Sequence, residues 1–514
     1  MSITLTFRIL LLASAVLAGM TASRQEISPA SAASAYYVSV QGDDRNAGTK
    51  QSPWRTLRHA ADVAQPGSTV YVRGGVYKEQ LRITRSGSAE DGPITFASYP
   101  KERAILDGSG LPIEDRLGMI EIEDASYITV QGFEIRNLKT AKRDRLPIGI
   151  YVHGSGGHIQ IRSNKVHNIA NTAVPKGGDL IGRDAHGIAV YGTNAPASIH
   201  HVAIDGNELY NLVLGSSESL VVNGNVTDFV ITNNSIHDND NIGIDLIGFE
   251  GVAPDPAYDQ ARNGRVSGNR IANITSNYNP SYGRSLPNDS NSAGGIYVDG
   301  GKNSIIERNY SYKNDIGIEI ASEHAGRSTS GITVRSNVVY QNRYTGIAMG
   351  GYDRERGATV NSAIMNNTLY LNDTLNTGGG QILLQHNTKN NRIANNIIYA
   401  GASNVFIYNE FTSNAGNTVD YNLYYAAGNR SKATWVWKNK TYVGSAAYKS
   451  RTGNDAHSIF ADPGFANAAA SNFHVKPTSP AIDAGQSYGF ALGTLDIDGQ
   501  DRIRGRSVNI GADE

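Results

Sequence analysis

The 514-residue sequence contains no cysteine. Disulfides and thiolate metal sites are therefore excluded, and any metal must be held by carboxylate, carbonyl or imidazole groups. Proline is scarce, 16 residues against 56 glycines, which fits many tight corners in a continuous fold better than disordered linkers. Charge of neither sign is in excess. Against 46 Lys and Arg stand 47 Asp and Glu, a formal net of −1, so no global field argues for nucleic acid or a membrane surface. The apolar run at 9–17 is too short to span a bilayer. It follows Arg8 and precedes small residues ending in Ala33-Ser34-Ala35, the layout of an export signal over residues 1–35. A retained anchor is the alternative. Processing would leave a secreted monomer without a membrane segment, stabilised by packing alone. With 39% hydrophobic residues the chain can bury a large core.

What is present is a repeat. Two aliphatic strand residues, a turn asparagine and a second short strand recur as IRSNKVHN (161–168), IDGNELYN (204–211), ITNNSIHDN (231–239), VSGNRIAN (266–273), IERNYSYKN (306–314), VRSNVVYQN (334–342), IMNNTLYLN (364–372) and IANNIIYA (393–400). Asn164, Asn207, Asn234, Asn269, Asn309, Asn337, Asn367 and Asn396 hold the same place, 27 to 43 residues apart. Asparagine tolerates the left-handed backbone of a sharp corner, and its amide can bond to the next copy above it. A constant corner with unequal spacing means fixed coils carrying insertions, here near 169–184, 250–263 and 274–292. The fold expected is all-β: a right-handed parallel β-helix with an N-terminal capping strand and helix. A β-propeller would need four comparable strands per blade, and these repeats show two or three. The organisation expected is a cap with first coils over 36–110, a β-helix with long loops over 111–425, and C-terminal coils and cap over 426–514. Ser52-Pro53 is expected to cap a helix whose Leu57, Ala60, Ala61 and Ala64 share a face. The C-terminal segments 473–485 and 495–514 read as a terminal cap.

Five segments share a second template: HGIAVYG (186–192), ESLVVNG (218–224), IGIDLIG (242–248), GGIYVDG (294–300) and IGIEIAS (316–322). Aliphatic residues alternate with variable ones, the period of a half-buried strand. The first outward slot reads Ala189, Val221, Asp245, Tyr297 and Glu319; the second reads Tyr191, Asn223, Ile247, Asp299 and Ala321. Stacked in register, Asp245, Tyr297 and Glu319 form one column with Asp299 beside it, so these four are the candidate catalytic residues. An exposed ladder of charges serving solubility is the plain structural alternative. His186 and Glu218 sit just before their strands at the rim of the same face, and Glu323 and His324 follow the last one. With Tyr191 and Asn223 they are candidate substrate-binding residues, as are Arg145, Lys176 and Arg183 from the surrounding loops. Cationic and aromatic loops around a groove suit an anionic sugar chain. The acids allow inverting hydrolysis, in which two carboxyl groups stand roughly 6.5–9.5 Å apart. They equally allow a Ca²⁺ site, and β-elimination next to a uronate needs a base and a cation.

The opening YYVSVQGDDRNAGTKQSPWRTLRHAADVAQPGSTVYVRGGVY (36–77), followed by β-helix coils, resembles the secreted polysaccharide lyases of the family 9 pectate lyase type. The resemblance is specific over the cap and architectural over the coils. It implies β-elimination of an acidic polysaccharide, Ca²⁺ bound by an acidic strand and a lysine base on the next coil. In HDNDNIGIDLIG (237–248), Asp245 matches the family's last aspartate and Asp240 is displaced by one place, which makes this pair the candidate metal ligands. Tyr297 stands where the lysine would be, so the base differs from the family's. Two other classes stay open: a glycoside hydrolase using paired carboxylates, and a non-catalytic glycan-binding β-helix.

Overall fold

The computed structural model describes residues 34–487 and 492–514. The proposed export signal therefore lies almost wholly outside the described residues; no described helix is long and apolar enough to cross a membrane. Three long sheets, one of 14 strands and two of 13, run the length of the chain, and successive coils contribute one strand to each. Within them the strands pair in parallel, except where Thr434–Trp437 meets Lys440–Val443 antiparallel. Such crossovers are right-handed, and the fold is the right-handed parallel β-helix expected. One continuous core fills it. Ile188, Val190, Leu220, Val222, Ile244, Leu246, Ile296, Val298, Ile318 and Ile320 all point into it, so the inward half of the second template is as read.

The asparagine corner is a ladder. The backbone N–H of each of Asn164, Asn207, Asn234, Asn269, Asn309, Asn337, Asn367 and Asn396 donates to the Oδ1 of the next rung at 2.9–3.0 Å, the last reaching Asn422. Each Nδ2 donates to the same Oδ1 and to a carbonyl of an adjoining coil, as Asn309 does to Val266 O at 3.0 Å. The left-handed corner residue is not the rung. It is the residue before it, Gly206, Asn233, Gly268, Arg308 or Asn366, with φ between 52° and 70°. The bend and the hydrogen-bonding side chain are thus split between two neighbours.

The N-terminal strand Ala35–Val38 pairs with Thr69–Val72 and opens the first sheet. The helix Leu57–Val63 buries Leu57, Ala60 and Ala61 over the coil end. Its cap is Thr56, whose Oγ1 accepts from His59 N at 3.1 Å, and not Ser52-Pro53. At the other end Trp435 stacks on Tyr448 of the helix Ser445–Thr452, centroids 5.4 Å apart. The segment read as a terminal cap lies elsewhere. Phe465, Phe473, Ala481, Ile497, Ile510 and Ala512 fold back over an outward column of Tyr312, Tyr340, Tyr370 and Tyr399. Ala512 N donates to Thr368 Oγ1 at 3.0 Å. This segment braces the flank of the solenoid.

Asn309→Ala removes an acceptor from Asn269 and a donor from Val266 O, all buried. The expected loss is roughly 3 kcal/mol, since each unsatisfied buried group costs about 1–3 kcal/mol. The urea midpoint of unfolding measures it.

Candidate active site

The strands His186–Gly192, Leu220–Gly224, Ile244–Ile247, Gly294–Asp299 and Ile316–Ala321 are consecutive members of one sheet. Val221 pairs with Asp245, Asp245 with Tyr297 and Tyr297 with Glu319. Tyr191 pairs with Asn223, and Asp299 with Ala321. The column read from alternation is therefore present, with Asp299 beside it. Its outer surface divides in two. Tyr151, Ala189, Val221 and Ile247 form a buried apolar cluster toward the N-terminal side, and the carboxyl groups stand on the other.

Outward does not mean exposed here. Asp245 is 2% exposed, Asp299 and Tyr297 5%, Glu319 6% and Glu218 7%. Long loops cover them. Glu250, just past the Ile244–Ile247 strand, accepts from Asn223 Nδ2 at 2.7 Å. Tyr282, from the 274–292 insertion, donates to Asn241 Oδ1 at 3.1 Å. A carboxyl sealed in this way prefers its proton. Burial, then the charge of Glu323, push Asp299 up to about 8. The same two causes push Glu319 up to about 8. Asp245 is driven well above the usual carboxylate range by burial and then by Glu218 and Asp299, and Glu218 by burial and then by Glu250 and Asp184.

Tyr297, Asp299 and Glu323 form one hydrogen-bonded group. The Tyr297 hydroxyl donates to Glu323 Oε1 at 3.2 Å, and Glu323 N donates to Asp299 Oδ1 at 2.7 Å. Burial raises the Glu323 carboxyl above its ordinary value, although it is less buried than its neighbours; the Tyr297 hydroxyl and Arg356, whose Nη1 donates to Glu323 O at 3.2 Å, work against that rise. Burial and four surrounding carboxyl groups hold the Tyr297 phenol well above its ordinary range. Among the described residues no lysine or arginine forms an ion pair with Glu218, Asp245, Asp299, Glu319 or Glu323.

His186 is buried and neutral, its pKa lowered to about 4 by burial. Its Nδ1 faces Glu218 O at 3.3 Å and its Nε2 faces the Tyr191 hydroxyl at 3.2 Å. A neutral ring meets both by donating from Nδ1 and accepting at Nε2. Asn223 Oδ1, Asp245 Oδ1 and His324 Nε2 are buried without a protein partner among the described residues. His324 also meets the Phe249 ring edge-on at 6.5 Å, at the lip of the cleft.

Other expected residues are not brought together. Asp240 accepts from Leu214 N at 2.7 Å at a sheet corner, in the field of Arg183, and Asp245 answers to a different set of charges. No three ligand atoms of the floor carboxylates and imidazoles lie within 4.8 Å of one another among the described residues. Asp240 and Asp245 belong to none of the groups of three convergent carboxylate or imidazole ligand atoms among the described residues. Arg183 is 4% exposed and its Nη2 donates to Asn171 O at 3.2 Å, which ties it to its own loop, while its Nε and Nη1 are buried without a partner among the described residues. Lys176 is on the exposed part of its loop. Arg145 is half-buried, and its carbonyl accepts from Asn171 Nδ2 at 2.8 Å. Glu250, Tyr282 and Arg356 complete the site. Repeat spacing marks the insertions that carry the first two, but not which of their side chains turn inward.

A coil stack of this kind, with a polar patch buried under loops on one sheet, defines a class, and comparison with known proteins agrees. Residues 36–194 match the family described as "Pel9A-like, right handed beta helix region" and residues 120–367 match "Right handed beta helix region". The chain belongs to this family of right-handed β-helix proteins with a Pel9A-like region. It is 43% identical over 447 residues to the uncharacterized protein YwoF of Bacillus subtilis (strain 168), covering 87% of this chain and 91% of YwoF. It is 31% identical over 176 residues to pectate lyase PEL9 of Emericella nidulans, covering 32% of this chain and 39% of that protein. The crystal structure of pectate lyase Pel9A superimposes with a TM-score of 0.46 at 15% identity, over 93% of this chain and 95% of that one.

The raised carboxyls set the pH dependence of stability. Asp299 and Glu319 hold protons up to about 8 when folded, whereas free carboxyls hold them to about 4. Folding therefore takes up protons between roughly pH 4 and 8, and stability falls as the pH rises through that window. Glu319→Gln, which mimics the protonated form, is expected to raise the thermal midpoint at about pH 8 and to leave it unchanged near pH 4. Melting curves across pH check this.

Proposed function

We propose that the protein is an exported enzyme that cleaves glycosidic bonds in a polysaccharide, using paired carboxyl groups. The observation that carries this reading is the group formed by Glu323, Tyr297, Asp299 and Glu319. Burial pushes Asp299 and Glu319 up to about 8, so they keep a proton at neutral pH; it raises Glu323 as well, opposed by the Tyr297 hydroxyl and Arg356, and in this reading Glu323 is the first of the three to ionise. Neighbouring groups whose affinities for protons are pushed apart divide the acid and base roles. One of the two protonated groups delivers its proton to the departing glycosidic oxygen, and the Glu323 carboxylate, oriented by the Tyr297 hydroxyl, acts on the opposite side as base or nucleophile.

β-Elimination of a uronate polymer is the second reading. The Pel9A-like region and the identity to PEL9 favour it. It asks Tyr297 to act as base, and burial, with its carboxyl neighbours second, opposes that by holding the phenol protonated.

Incubation with neutral and uronate polysaccharides, following reducing ends and ultraviolet absorbance together, separates the two chemistries, because only elimination creates an unsaturated uronate. New reducing ends without absorbance are expected. Glu323→Gln should lower turnover by about 10²–10⁴-fold, and so should whichever of Asp299→Asn and Glu319→Gln removes the acid, whereas Tyr297→Phe should cost about tenfold or less. Full activity in chelator is expected, and loss of activity in Tyr297→Phe together with absorbance growth would establish the lyase instead.

A further inference from the structure

On a different sheet from the cleft, two neighbouring coils bring three histidines together. His158 belongs to the strand Gly156–Arg162, and His200 and His201 to Ile199–Asp205, with Gly157 paired to His200 across the coils. His158 and His201 have φ of 59° and 51°, and such a left-handed bulge re-aims side chains that a regular strand would send to opposite faces. The Nδ1 atoms of His200 and His201 stand 2.8 Å apart with their rings at 86°. One ring nitrogen from each of the three lies within 4.8 Å of the other two. Gly157 leaves the His200 ring its place, since a Cβ there would come within 2.3 Å of His200 Cε1. Among the described residues none of the three imidazoles forms an ion pair with a carboxylate, and burial and then the His201 and His158 rings lower the His200 pKa against a weaker pull from the Asp228 charge. At 2.8 Å the two Nδ1 atoms share one N–H, and an ion bound between the rings would take that proton's place.

We propose that His158, His200 and His201 form a surface binding site for a divalent transition-metal ion of the zinc class. Imidazole nitrogen is the ligand such ions take, at about 2.0–2.1 Å. A small opening of the contact between His200 and His201 lets both Nδ1 atoms reach one ion. The exposed His158 ring, stacked on His201 at 4.8 Å and 17°, turns about its own axis to supply the third nitrogen. Water completes the tetrahedron. The ion would clip two successive coils, and because an ion bound only by the folded chain stabilises it, the thermal midpoint should rise with metal concentration.

The test uses the full chain without a histidine tag, titrated with Zn²⁺ by calorimetry and melted with and without Zn²⁺. One ion per chain is expected, together with a raised midpoint. His200→Gln, and separately His158→Asn with His201→Asn, should weaken binding by about tenfold or more and abolish the midpoint shift, with turnover unchanged; asparagine tolerates the left-handed backbone at both positions. Absence of Zn²⁺ binding in the wild type, or binding that these variants leave intact, overturns the proposal. So does loss of the signal on His153→Gln or His474→Gln instead, because His153 with Glu121 and Glu123, and His474 with Asp498 and Asp513, are the other groups among the described residues that bring three ligand atoms together.

Discussion

The hydrogen bond from one corner asparagine to the next is the constraint on which the rest of the molecule hangs. A parallel strand that slips by one residue sends every side chain to the opposite face. The ladder forbids the slip, because each rung accepts two N–H groups and donates to an adjoining coil within the dry interior. A shifted coil would leave several buried polar groups without partners. Long insertions can therefore leave and rejoin the solenoid without disturbing it, as the one between Ile274 and Gly294 does. Asp245, Tyr297 and Glu319 remain in one column although two insertions of different length separate their coils from one another or from the coil before.

That rigidity permits an arrangement that a looser fold would not hold. Five carboxyl groups and a tyrosine share a small buried volume with little countercharge, and the protein resolves the conflict by retaining protons. Each such group weakens the folded state at neutral pH relative to an uncharged isostere. Natural sequences keep destabilising groups of this kind where they serve chemistry. The same surroundings that make the carboxyls acids at neutral pH make Tyr297 a poor base, so one electrostatic environment bears on both proposed mechanisms in opposite directions.

The architecture was legible because it rests on two local periods: alternation along strands, and one asparagine per coil. Both survive insertions. The register of Asp245, Tyr297, Asp299 and Glu319 followed from them. Burial was not legible, since it depends on how Glu250 and Tyr282 fold over the floor, and no period governs a loop. The pairing of Asp240 with Asp245 failed for a related reason. Asp238 adopts φ 56°, which resets the alternation, so side-chain direction counted back from the Ile244–Ile247 strand does not carry across the corner. The corner asparagines were found for a partly different role from the one they have, because their neighbours take the left-handed bend. The C-terminal brace was hidden because its partners, Tyr312, Tyr340, Tyr370 and Tyr399, are one residue in each of four coils and look like ordinary strand aromatics.

That brace ties the end of the chain to its middle, and this orders events in time. A solenoid can wind coil by coil as the chain emerges, since each coil needs only the one before it. The strip of tyrosines stays open to solvent until residues 465–512 arrive to cover it. Every nascent or truncated form thus displays a sticky apolar stripe that the finished protein does not, and a chaperone that recognises such stripes could tell an incomplete chain from a complete one by that surface alone.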